Sequence, residues 1–299
     1  MKVNLNFILA NLLLFFVLQP FVSPVPLQTD VQPLSTVFAL FILLLDLIKK
    51  RSRVSLGLFS LMALSFVWLI YFRSGAEISI VHQMALLSSV IILYAVVRSH
   101  SLFSPRTAIC SAIFLGFGII FHFYLPDVFI SYAKFIVRDI KIEEMGVRGA
   151  SGFAAEPSFA AVLCTVHLVI FYWFFKKGVL SQRFYNISAL LLFILVMHTR
   201  SGTGFFYFPF AYLVLSLGGR VSGKLLLKGS ILGLLAFLVI FSSGFFDQTR
   251  GVALVKAIAK NPEYLLIDGA VAERLLGFTI GILAVKENPL GLGGGGYSD

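Results

Sequence analysis

The stretch SFAAVLCTVHLVIFYWFF, residues Ser158–Phe175, decides the fold. It contains no Asp, Glu, Lys or Arg, and its apolar residues do not alternate with polar ones. Its length is close to the ~20 residues a helix needs to cross a ~30 Å hydrocarbon core. Glu156-Pro157 stands before it and Lys176-Lys177 after it. In lipid, every backbone N–H and C=O must be paired internally, which leaves helices or a closed barrel. Barrel strands would show period-two alternation, so the stretch predicts a membrane-spanning helix.

The same pattern recurs at Leu5–Val22, Leu34–Ile48, Val54–Phe72, Ile78–Val97, Ala108–Leu125, Phe184–His198, Gly204–Leu217 and Gly229–Phe246. The expected fold is therefore all-α: a polytopic membrane protein with about nine transmembrane helices. Leu275–Val285 is apolar but short, an interfacial or re-entrant segment or else a tenth span. Composition agrees. Of 299 residues 59% are apolar and 13% charged, with a mean hydropathy of +0.95. A soluble domain carries about 25% charged residues, so that class is excluded. Met1-Lys2 followed by an apolar run has the look of a signal peptide. Ser23-Pro24-Val25-Pro26 makes a poor cleavage site, however, and the segment is expected to remain as the first helix. Cys110 and Cys164 lie within apolar runs and read as small packed residues, not as a disulfide or metal ligands.

The loops set an orientation. Lys2, Lys49, Lys50, Arg51, Arg53, Arg98, Arg106, Lys176, Lys177, Arg183, Arg220, Lys224 and Lys228 all fall on one side of the expected spans. The short opposite loops carry Arg73 and Arg200. The positive-inside rule places the amino terminus in the cytoplasm. Of the 14 acids, Asp46 alone lies near the cytoplasmic face. The net charge of +10 thus belongs mostly to the inner face, where it suits anionic lipid headgroups and not nucleic acid. Residues 1–299 read as a single membrane domain with two outer-face segments, 126–157 and 247–299. Within the second, Val252–Ala259 suits a helix lying on the surface. The chain stops at a glycine run ending in Tyr297-Ser298-Asp299 with no cap or anchor, so it is expected to be truncated at its carboxyl end.

Three constellations carry possible chemistry. The first is Arg148-Gly149-Ala150-Ser151-Gly152-Phe153-Ala154-Ala155-Glu156-Pro157-Ser158. Pro157 suits the first turn of a helix and pushes Glu156 out of helical geometry, making Glu156 the N-cap. Glu156 is then either a capping carboxylate or a functional one at the positive end of a helix dipole. The second is His198-Thr199-Arg200-Ser201-Gly202-Thr203-Gly204, a short link that holds Arg200 at the membrane boundary. There the arginine either snorkels to headgroups or pairs with an anion. The third is Arg274, an apolar stretch, and Asn288-Pro289-Leu290-Gly291-Leu292-Gly293-Gly294-Gly295-Gly296. Gly-rich backbone can cradle phosphate oxygens, although no Walker motif is present. His82 and His122 lie in the outer parts of their spans, as does His198, and His167 lies near mid-membrane. These read first as packed, hydrogen-bonded residues. No metal-ligand spacing appears.

Taken in order, these stretches resemble the O-antigen polymerase and O-antigen ligase superfamily of bacterial envelope proteins. The resemblance rests on Arg148 with Glu156-Pro157-Ser158, on Thr199-Arg200-Ser201-Gly202-Thr203-Gly204, and on Arg274 ahead of Asn288-Pro289-Leu290-Gly291-Leu292-Gly293. It covers roughly Arg148 to Asp299, and Glu-Pro-Ser leans it towards polymerase. It implies a C-type glycosyltransferase fold in the bacterial plasma membrane, active at the outer face without metal or cofactor. The substrate implied is a polyprenyl-pyrophosphate-linked oligosaccharide. A chain-length regulator or other polysaccharide-assembly proteins are the implied partners.

The chemistry fits these residues. A leaving pyrophosphate needs its charge stabilised, and arginine forks bind phosphate bidentately. The expected catalytic residues are Glu156, Arg200 and Arg274. Arg148, Arg250, Ser158, His198, Gly291 and Gly293 are the expected substrate-binding residues. Two alternatives stand beside polymerisation. One is a ligase transferring glycan to a lipid core; the other is a polysaccharide or lipid transporter. Against transport, no span carries a central Asp or Glu, and no inverted repeat is evident.

Overall fold

The structure, a computed structural model, describes residues 4–23, 33–48, 78–137 and 149–217. Among them the regular elements are helices: α1 (Leu5–Leu18), α2 (Pro33–Ile48), α3 (Ile78–Ser99), α4 (Pro105–Tyr124), α5 (Pro126–Ala133), α6 (Pro157–Lys176), α7 (Gln182–Thr199) and α8 (Gly202–Ser216). A 3-10 turn, His100–Leu102, follows α3, and Val22 and Val137 form an isolated antiparallel bridge. The described residues contain no strand and are all-α in character. Of these helices, α4 and α6 are long and apolar enough to cross a membrane. The runs Val54–Phe72 and Gly229–Phe246, with Val252–Ala259 and Leu275–Val285, lie outside the described residues.

Local chemistry sets the helix ends. Gln19 precedes Pro20, and a residue before proline is driven out of the α region. The first helix therefore stops at Leu18, short of the expected Val22. In α4, Pro105 sits in the first turn and the Ser104 hydroxyl accepts from the Arg106 N–H, while Pro126 limits the other end. α7 begins with the Ser181 hydroxyl accepting from the Phe184 N–H. α8 begins the same way, with Ser201 accepting from Gly204. Each such cap is worth about 1 kcal/mol.

By its contacts the chain divides into two compact units. Unit 1 holds Met1–Leu13, Thr29–Leu102 and Ala257–Asp299. In it α2 packs on α3, an Arg98–Asp46 ion pair of 2.9 Å links the two, and Asn11 Nδ2 donates to the Leu102 carbonyl at 3.1 Å. Unit 2 holds Leu14–Gln28 and Phe103–Lys256. Its described core is built by α4, α6, α7 and α8 around small side chains. Ala160, Ala161 and Cys164 are fully buried on α6. A Cβ on Gly204 would stand 2.5 Å from that of Ala161, so α8 and α6 approach as closely as backbones allow.

Within its apolar core unit 2 holds a short buried polar chain, and large apolar side chains stand on its outside. Gln19 Nε2 donates to the Ser111 carbonyl (2.9 Å) and hydroxyl (2.8 Å). The Ser111 hydroxyl lies 2.9 Å from His167 Nε2, and His167 Nδ1 lies 2.7 Å from the Leu163 carbonyl. A carbonyl only accepts, so Nδ1 carries the proton and Nε2 accepts from Ser111. Meanwhile Ile113, Phe117, Ile120 and Tyr124 on α4, and Ile187, Leu190, Leu191 and Ile194 on α7, stand exposed. Water would penalise that surface. A hydrocarbon solvent would not.

Candidate functional site

The first two constellations meet at one end of unit 2. α4 finishes there, α6 begins there, and α7 turns into α8 there. The join is direct: the Ala150 N–H donates to the His198 carbonyl at 3.4 Å. Gly149 (φ 99°) lies so close that a Cβ would fall well inside contact distance of the Thr199 carbonyl oxygen and 3.0 Å from Arg200 Cβ. Only glycine fits both that space and that dihedral.

The segment leading to Glu156 is seated on α4. Gly152 (φ 54°) lies over the α4 backbone, where a Cβ would come 2.7 Å from the Ile119 nitrogen. The Phe153 ring stacks on Phe114 at 4.3 Å, and Gly118 leaves room for it. His122 accepts the segment's amides: Nδ1 takes the N–H of Ser151 (3.1 Å) and of Gly152 (3.3 Å). The His122 ring is itself buried, stacked on Phe129 of α5 at 4.8 Å. Two donors on Nδ1 place its proton on Nε2.

Glu156 is the α6 N-cap by position, with extended backbone (φ −141°, ψ 157°) and Pro157 following. Its side chain makes no capping hydrogen bond. Instead the Ser158 hydroxyl donates to Glu156 Oε2 at 3.3 Å. The carboxylate is half-buried.

Arg200 is the α7 C-cap in left-handed conformation (φ 50°, ψ 25°). Among the described residues it is the one non-glycine at positive φ. Such geometry costs a non-glycine about 1–2 kcal/mol. The link to α8 is shorter than the sequence suggested, because α7 runs to Thr199 and α8 starts at Gly202. The exposed guanidinium lies 5.4 Å from the centre of the Phe123 ring. Neither Arg200 nor Glu156 forms an ion pair with another described residue. His198 Nδ1 donates to the Ile194 carbonyl at 2.8 Å, and its ring meets Phe123 (4.8 Å) and Tyr124 (6.2 Å).

Of the predicted site residues, Glu156, Ser158, His198 and Arg200 thus belong to one end of one unit. Arg148, Arg250, Arg274, Gly291 and Gly293 lie outside the described residues. Phe123 beneath Arg200, and His122 beneath the segment, were not assigned to the site from sequence. The available signal was a histidine near the end of one span and a glycine pair just before the next. An apolar groove lined by Asn186, Leu190, Phe193, Pro209 and Tyr212 lies towards the other end of α7 and holds none of these residues. No protein-family model, curated protein or solved structure matches the chain.

Proposed function

We propose that this protein is a multi-pass glycosyltransferase of the bacterial plasma membrane. It polymerises polyprenyl-pyrophosphate-linked oligosaccharide repeat units at the outer face, its amino terminus in the cytoplasm. The observation that carries this reading is the meeting of the Glu156-Pro157-Ser158 and Thr199-Arg200-Ser201 segments, with a strained, exposed arginine free of any described carboxylate. Backbone strain of this kind persists where surrounding structure enforces it, and it clusters at functional sites.

Two further features support the membrane part. The large apolar side chains exposed on α4 and α7, and the close approach of α6 and α8 through small residues, suit lipid as solvent. Arg106, Lys176, Lys177 and Arg183 gather at the opposite end of the same helices, as the positive-inside rule asks of a cytoplasmic face.

In the reaction, an acceptor sugar hydroxyl attacks the anomeric carbon of the donor. The new glycosidic C–O bond forms as the bond to pyrophosphate breaks, and the carrier pyrophosphate leaves with the electron pair. Arg200 stabilises the charge that develops on it, with Arg274 and Arg148 as the arginines the sequence adds to the clamp and Arg250 in reserve. Glu156 orients the acceptor hydroxyl or takes its proton. Ser158 donates to that carboxylate and fixes its direction. A transporter would use an ionisable group near mid-membrane. His167 is there, but both ring nitrogens are engaged in hydrogen bonds.

The test is a gel profile of surface polysaccharide from cells deleted for the full-length gene and complemented with wild type or Arg200→Ala. The expected outcome is collapse of a long ladder to single repeat units, restored by wild type alone. Removal of such a donor lowers turnover by about 100- to 1000-fold. Loss of all glycan from the lipid core would instead indicate the ligase, and an unchanged ladder would overturn the glycan assignment.

A further inference from the structure

We infer that His122 is a positioning residue: its neutral imidazole fixes the 149–156 segment against α4 and thereby sets Glu156 and Arg200 relative to each other. The inference rests on the proposed transferase for its functional consequence, while the anchoring itself is a structural matter.

Nδ1 of His122 receives the Ser151 and Gly152 N–H groups and lies 3.3 Å from the Ser151 hydroxyl. Ser151 is fully buried and Gly152 is buried too, so water cannot replace that acceptor. The rest of the segment has little choice once these amides are held. Gly152 is pressed on the Ile119 backbone, Phe153 lies on Phe114, and Ala154 N–H closes a turn to the Ser151 carbonyl at 3.1 Å. Glu156 follows directly at the α6 N-cap. On the other side, Gly149 is wedged against Thr199 and the Arg200 Cβ, and Ala150 is tied to His198. The segment is therefore a strap between the carboxylate and the arginine, and His122 is the polar side chain that receives its central amides.

The geometry also says which replacement should serve. Asparagine carries a carbonyl oxygen on Cγ where histidine carries Nδ1, so His122→Asn keeps an acceptor in that place. His122→Leu keeps apolar bulk and removes the acceptor, leaving two buried amides unpaired.

The experiment is hydrogen exchange of the full chain in detergent, read over residues 149–156, with the polysaccharide ladder measured in parallel and normalised to folded protein. In His122→Leu the Ser151 and Gly152 amides should exchange about ten- to hundredfold faster. Amides within α4, α6 and α7 should be unchanged. The ladder should shorten, and His122→Asn should restore both readouts. If His122→Leu does not accumulate, His122→Met takes its place, since methionine refills irregular space. Unchanged exchange in the apolar variant would overturn the anchoring. Accelerated exchange with a ladder of wild-type length would overturn the positioning role. A ladder indifferent to deletion of the gene itself would sink the transferase reading, and exchange alone would then decide the anchoring.

Discussion

Two turns in unit 2 end a helix with a left-handed residue, and they solve the problem in opposite ways. After α6 the chain uses Gly178 (φ 72°), and a Cβ there would meet nothing within 4 Å. The neighbouring cations lie over aromatic rings, Lys177 at 3.7 Å from the Trp173 centre and Lys176 at 5.3 Å from that of Tyr172. After α7 the left-handed residue is Arg200, although glycine would adopt that conformation without strain. The surroundings there are crowded: Gly149 and Gly152 both leave no room for a Cβ. The open turn follows local rules. The crowded one breaks a local rule and is held by tertiary contacts, the pattern expected where function outweighs stability.

The largest effect that would sharpen this contrast is Arg200→Gly. Glycine relieves the left-handed strain, worth about 1–2 kcal/mol. It also removes the cation–π contact with Phe123, worth about 0.5–1 kcal/mol at an exposed site. Thermal stability in detergent should therefore stay within about 1 kcal/mol of wild type, while transfer falls about 100- to 1000-fold. A variant that unfolded readily would show that Arg200 is there for the turn, and the contrast would be lost.

Next in size is Gly149→Ala. The new methyl would collide with the Thr199 carbonyl in a backbone conformation that alanine avoids, a backbone effect of about 2–3 kcal/mol. Transfer should fall with it, because the strap and the Arg200 turn can no longer share that space. Differential scanning of tryptophan fluorescence gives the stability. A midpoint equal to wild type would mean that the two segments are not pressed together.

Much of the helical layout was legible because apolar runs bounded by charge or proline dictate helices. Ala108–Leu125 became Pro105–Tyr124, and Ser158–Phe175 became Pro157–Lys176. The early stop of α1 was also written in the sequence, in Gln19-Pro20, but a hydropathy reading passes over a single proline inside a long run. The N-cap position of Glu156 followed from Pro157. What the sequence could not provide was the seat of the 149–156 segment. His122 and Ser151 meet across 29 positions of chain, and nothing periodic connects them. Arg200 stands out in the sequence as a charge at a membrane boundary, yet its left-handed backbone belongs to a turn crowded by Gly149, which no local signal marks.

The smallest effect belongs to the open turn. Gly178→Ala puts a methyl into empty space, so the cost is dihedral strain alone, about 1–2 kcal/mol. Part of that is offset, because alanine restricts the unfolded chain more than glycine does, by about 0.4–1 kcal/mol. The net loss should be roughly 1 kcal/mol or less, with the polysaccharide ladder unchanged, since Lys176 and Lys177 keep their aromatic partners. Measured beside Gly149→Ala in the same detergent, this variant isolates the conformational part of the penalty common to the two positive-φ glycines. The excess at Gly149 is then the part owed to Thr199 and Arg200. Were the two variants equally destabilised, crowding would contribute nothing. The left-handed arginine would then need a different cause from the strap that lies against it.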